Sequence, residues 1–161
     1  TSFWDAGLEH RERSGRVPSY EDAFLADLET PATFRARLAR LDRNTRVLAE
    51  TLQRAGCRVH SAWLGSHAAR ALYGTGGRFV YVELEKPRPR LDQHLCELVA
   101  REGLPAVAAC TFGLAVPHAN LIVDAPAPPL LRLSAGSGAA DEVDAVAALW
   151  ADALRAQASG S

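Results

Sequence analysis

Leu130-Leu131-Arg132-Leu133-Ser134-Ala135-Gly136 is an apolar run with one arginine near its middle and a glycine at its end. A short apolar run bounded by turn residues predicts a buried strand, and Gly136-Ser137-Gly138 predicts a turn out of it. Burying an unpaired guanidinium is costly. Arg132 is therefore expected either to meet a carboxylate, with Asp124, Asp141 and Glu142 nearest in sequence, or to lie at the mouth of a cleft. The next element, Ala140 to Ala156, carries Val143, Val146, Ala147, Trp150 and Leu154 at helical spacing, so it is predicted to close the fold with one buried stripe. On the other side, the proline-rich loop Asp124 to Pro129 joins Leu130 to a strand predicted at Asn120 to Val123. A connection that short makes the two strands antiparallel.

The segments upstream complete a layered pattern. Thr30-Pro31 opens a long helix: threonine caps, and proline takes the first helical position, where its missing N–H costs nothing. Phe34, Leu38, Leu41, Thr45, Leu48 and Leu52 give this helix one apolar stripe up to Arg54 or Ala55, before Gly56. Cys57 to Leu64 and Arg78 to Glu85 read as strands, the second apolar on both faces and hence central. Short helices are expected at Tyr20 to Leu28 and Ser66 to Tyr73, an amphipathic one at Leu91 to Glu102, and a third strand at Val107 to Phe112. The glycines of Gly74-Thr75-Gly76-Gly77 lead from a helix into a strand, the reverse of a phosphate-cradling loop, so they are read as a turn. The expected fold is α+β: a small, mainly antiparallel sheet covered on one side by helices and preceded by a long helix. Residues 1–17 read as a linker or arm, 18–157 as a single domain, and 158–161 as a flexible tail.

Composition narrows the class. The chain has 161 residues, of which 48% are apolar, and a net charge of −1. This suits one soluble domain with a real core. No apolar run is long enough to span a membrane, and the first residues lack the pattern of a signal peptide. The arginines of the long helix are spread around it, as on a solvated face, so no nucleic-acid partner is expected. Cys57, Cys96 and Cys110 fit no metal pattern and read as reduced thiols, which places the chain in the cytoplasm. No metal site and no catalytic triad can be assembled; Cys57, His60 and His67 lie near one another in sequence only, and His118 is read as a loop residue. The sequence contains no methionine. That suits a segment of a longer protein, or a chain whose initiator methionine is removed.

Five segments, in order, resemble the C-terminal domain of the pyridoxal-phosphate enzymes of cysteine and methionine metabolism, the group of the cystathionine synthases and lyases and methionine γ-lyase. Pro18-Ser19-Tyr20-Glu21-Asp22-Ala23-Phe24-Leu25 with Leu28-Glu29-Thr30 resembles the family's "SPFDAFL…GLKTL". Arg43-Asn44 with Leu48-Ala49-Glu50-Thr51-Leu52 is similar to "HNxNALALAEFL". Gly76 to Leu84 resembles "GGMxSFEL", Thr111-Phe112-Gly113 the "S-(L/F)-G" loop, and Leu131 to Gly136 "VRLSVG". The resemblance covers residues 17 to 156 and implies the C-terminal domain of a fold-type-I pyridoxal-phosphate enzyme.

In that family the arginine of the last motif binds the α-carboxylate of the amino-acid substrate, a task that suits a planar guanidinium fork. Carried over, Arg132 has that role, Thr111 offers a hydroxyl, and Gly113 lets the backbone come close; these three are the implied substrate-binding residues. The family's catalytic lysine belongs to an N-terminal domain outside this chain. Lys86 lies in a proline-rich connector, and the acidic residue that usually follows the last motif is replaced by Ser137-Gly138. The resemblance thus implies half of an active site of a lyase or transferase acting on a sulfur-containing amino acid. It implies pyridoxal phosphate in the parent enzyme, none bound by this chain alone, a partner domain or chain carrying the lysine, and a possible homo-oligomer. The alternative is a non-catalytic relative that serves as a docking module in a biosynthetic assembly.

Overall fold

The computed structural model describes residues 30–65, 77–109, 115–124 and 126–159. Among them are three helices and five strands: α1 (Pro31–Arg54), β1 (Arg58–His60), β2 (Val80–Glu83), α2 (Leu91–Arg101), β3 (Val107–Ala108), β4 (His118–Ile122), β5 (Leu130–Ser134) and α3 (Ala140–Ser159). The chain divides into two units between Arg37 and Leu38, within α1, and the second unit carries the whole sheet. The expected boundary at residue 17, the helices expected at Tyr20 to Leu28 and Ser66 to Tyr73, and the end of the tail lie outside the described residues.

In the first unit α1 begins as its sequence dictates. Thr30 Oγ1 accepts the backbone N–H of Thr33 at 3.2 Å, which satisfies one of the N–H groups that a helix start leaves unpaired. Phe34, expected in the buried stripe, is instead 43% exposed, and its ring lies 5.6 Å from the Arg37 guanidinium carbon.

In the second unit the sheet order is β1-β2-β5-β4-β3. It is mixed: β1–β2, β2–β5 and β5–β4 are antiparallel, and the edge pair β3–β4 is parallel. The antiparallel pairing of the strands flanking the proline-rich loop is as expected. The centre is held by β5, with β2 one place away. The strand at Val80 is therefore interior but not central, and it is not apolar on both faces. Val80 and Val82 are buried, while Tyr81 and Glu83 are only half-buried.

Alternate strand residues point to opposite faces. Val80, Val82, Ala119, Leu131 and Leu133 form one buried cluster with Leu48 and Leu52 of α1, Leu95 and Val99 of α2, and Val146 and Trp150 of α3. All three described helices thus cover the same face, and the stripe read from the sequence of α3 is the one buried. Two polar contacts tie the layer together. Trp150 Nε1 donates to Leu95 O at 3.1 Å. Asn44, 1% exposed, donates through Nδ2 to the carbonyls of Gly136 (3.0 Å) and Gly138 (3.1 Å).

Candidate functional site

On the face turned away from these helices, strand register builds one polar row. His60 pairs with Tyr81, Tyr81 with Arg132, and Arg132 with Asn120, so four strands contribute one side chain each. Directly opposed side chains on adjacent strands are close enough to interact, and long ones also reach the diagonal positions. The diagonals of Arg132 toward the end of β5 are His118, which pairs with Ser134, and Phe79, two residues before Tyr81.

The guanidinium of Arg132 reaches toward that end. Its central carbon lies over the Phe79 ring, 4.9 Å from the centroid, within cation–π range. Phe79 also meets Tyr81, with ring centroids 6.4 Å apart and planes tilted by 58°. Arg132 is half-buried, at the level of the sheet surface.

The end of β5 is built for close approach. Gly136 has φ +67°, a conformation that L side chains rarely adopt, and a Cβ there would come within 2.6 Å of the carbonyl carbon of Val116. Ser137 N bonds Ala115 O at 3.2 Å, so the chain at 115–117 lies directly on the glycine turn. Glu142 Oε2 accepts the backbone N–H of Ala139 at 3.2 Å, which gives this acidic residue a helix-capping role at the start of α3.

His118 was expected in a loop, but it opens β4. The pairing of β4 with β5 begins two residues earlier than the apolar run Asn120 to Val123 suggests, with His118 in register with Ser134. Its Nδ1–H donates to Val116 O at 2.7 Å, which fixes the tautomer. Thr111 and Gly113, the other two expected site residues, lie outside the described residues. Phe79, Tyr81, Asn120 and His118 share a face with Arg132 and were not singled out as its neighbours. Alternation within each strand signals which of them share a face, but only the register brings them together.

At the β1 corner of the same face, Glu83 accepts Arg58 Nη1 at 3.0 Å and pairs with His60 Nε2 at 3.1 Å. The His60 bond first, and the Arg58 bond second, hold the Glu83 carboxyl below its usual range. A cleft of about 210 Å³ lies beside β1 and β2, lined by Gly56, Cys57, Arg58, Leu84, Arg88 and Arg155 among others; Arg132 does not line it. Burial raises the thiol of Cys57 there, with Arg155 opposing, and pushes that of Cys96 to about 11. Among the described residues Cys57 and Cys96 are free thiols and no group of side chains is arranged to hold a metal ion. Nor is any described helix long and apolar enough to cross a membrane. No family model, no curated protein and no solved structure matches this chain.

Proposed function

We propose that this chain is the C-terminal, substrate-side domain of a pyridoxal-phosphate-dependent lyase or transferase acting on a sulfur-containing amino acid, with Arg132 binding the substrate α-carboxylate. The observation that carries this reading is the place of Arg132: central strand, face away from the helices, guanidinium directed over Phe79 toward the glycine turn. The order of the five resembling segments supports it as well, and so does the α+β architecture, which the C-terminal domains of fold-type-I enzymes share. The reduced thiols are in keeping with a cytoplasmic protein.

The residues present do not fit the cofactor itself. An amine that forms a Schiff base must reach the substrate nitrogen next to the bound carboxylate. Lys86, the one lysine of the sequence, is exposed in the turn beyond Glu83, off the opposite end of β2 from Phe79. No cofactor step is therefore assigned to this chain, and the lysine comes from a second domain or chain.

The test is a titration of the labelled chain with L-methionine at constant ionic strength, followed on the Nε–Hε resonance of Arg132. A saturable shift in the wild type that is lost with the α-amide of methionine is the expected result. No shift removes Arg132 from the substrate site and favours the docking module. A stoichiometric borohydride-reduced pyridoxal-phosphate adduct on Lys86 places the cofactor on this chain and overturns the division of labour.

A further inference from the structure

We propose that the cleft beside β1 and β2 binds a small organic acid, with the carboxylate held by the guanidinium of Arg58 and an apolar body laid on the side chains beneath. This is a separate site, and it does not depend on the reading of Arg132, which does not line the cleft. Three arginines far apart in sequence line it: Arg58 of β1, Arg88 of the connector between β2 and α2, and Arg155 of α3. The carboxylates of the lining are Glu83 and Glu85. Three guanidinium groups against two carboxylates leave an excess of one positive charge, which a single anion offsets.

Arg58 supplies the hydrogen bonds. It gives Nη1 to Glu83 at 3.0 Å, one donor of the five a guanidinium carries, while 70% of its side chain stays exposed. The same bond steadies the end of a long side chain at the rim, so that less ordering remains for a ligand to impose. From Arg88 and Arg155 the site requires charge alone, which acts through space alongside the contacts they already make. Arg155 pairs with Asp152 at 3.5 Å, and its charge still reaches the Cys57 thiol on the cleft wall, where it opposes the effect of burial. The floor is apolar: Val82, Leu84 and Leu154 are core residues that also line the cleft. A bare inorganic anion would leave that floor uncovered. The volume of about 210 Å³ lies below the roughly 300–1,000 Å³ of pockets for drug-sized ligands, so the apolar body is one ring or a short branched chain.

The experiment titrates the labelled chain with phenylacetate at constant ionic strength and follows the backbone amides of Gly56, Cys57 and Leu84. Phenylacetamide keeps the ring and lacks the charge; acetate keeps the charge and lacks the ring. Saturable shifts with phenylacetate are expected, with binding at least about tenfold weaker for either control. Arg58→Gln should weaken phenylacetate by a similar factor, and Arg58→Lys, which keeps the charge and loses the fork, should fall between it and the wild type. The amide spectrum of each variant reports its folding, and the two control compounds test the site in the wild type without any substitution. No saturable shift at these amides overturns the proposal. So does equal affinity for phenylacetamide, or an unchanged dissociation constant in a folded Arg58→Gln. Equal affinity for acetate overturns the role of the apolar floor, and with it the class of ligand.

Discussion

Asn44 Nδ2 donates at 3.0 Å to the carbonyl of Gly136, 92 residues further along the chain. A second bond from the same nitrogen reaches Gly138. One buried amide of the long helix thus fixes the turn that ends the central strand. Asn44→Ala leaves two carbonyls without this donor and is expected to destabilise the protein by about 2 kcal/mol. Asn44→Asp is expected to cost more, because it sets a carboxylate against carbonyl oxygens. Urea unfolding of the two variants measures both, and equal stability of wild type and Asn44→Ala would remove the clamp.

Glycine is required at position 136 for two separable reasons: φ is +67°, and backbone atoms of Val116 and Pro117 lie within 3 Å of any added Cβ. Gly103, after α2, has φ +74° with nothing within 4 Å of an added Cβ. Gly103→Ala should therefore cost only the backbone strain, about 1 kcal/mol, whereas Gly136→Ala adds a clash with main chain that cannot rotate away. The difference between their denaturation midpoints isolates the clash; identical losses would mean that the 115–117 segment yields freely.

Burial in the core holds the Cys96 thiol neutral to about pH 11. Relative to an ordinary thiol near 9, its thiolate fraction at pH 8 is lower by about 100-fold. Alkylation by iodoacetamide, read by mass spectrometry, should be slower by at least that factor in the native chain than in urea. The same shift makes stability complete below pH 9 and progressively lost as pH rises toward 11, and Cys96→Ala should flatten that alkaline limb.

Glu83 shows the opposite sign. Its carboxyl is held down by His60 and Arg58, so the stability it contributes is present above its ordinary value of 4.5 and lost as pH falls through the lowered one. The group is at the surface, so the effect is expected to be small and weakened by salt. Glu83→Gln should reduce the acid dependence of the melting temperature below pH 4.5; an unaltered acid limb would show that these pairs contribute nothing measurable.

Helices were the legible part of this sequence. The cap at Thr30, the stop at Gly56 and the stripe of α3 follow from spacing and local chemistry, and the structure places them where those signals stand. Phe34 departs because apolar spacing alone does not show where the covering layer begins. Strand positions were found, but not their order. Nothing local tells β5 to lie between β2 and β4, or β3 to pair in parallel at an edge. Arg132 was noticed because a cation breaks an apolar run. Its neighbours Phe79, Tyr81 and Asn120 come from segments up to 53 residues away, and only the register unites them.

The position of β5 also bears on how the chain acquires its structure. The strand that fills the middle of the sheet is the last one to be synthesised, and until it arrives β1–β2 and β3–β4 have no shared neighbour. Growth of the sheet is therefore not progressive: two edges wait for one keystone, which must close loops back to both. A ribosome-bound chain that stops short of Leu130 is expected to expose two unpaired strand flanks, so assembly of this domain is a late, concerted event in its translation.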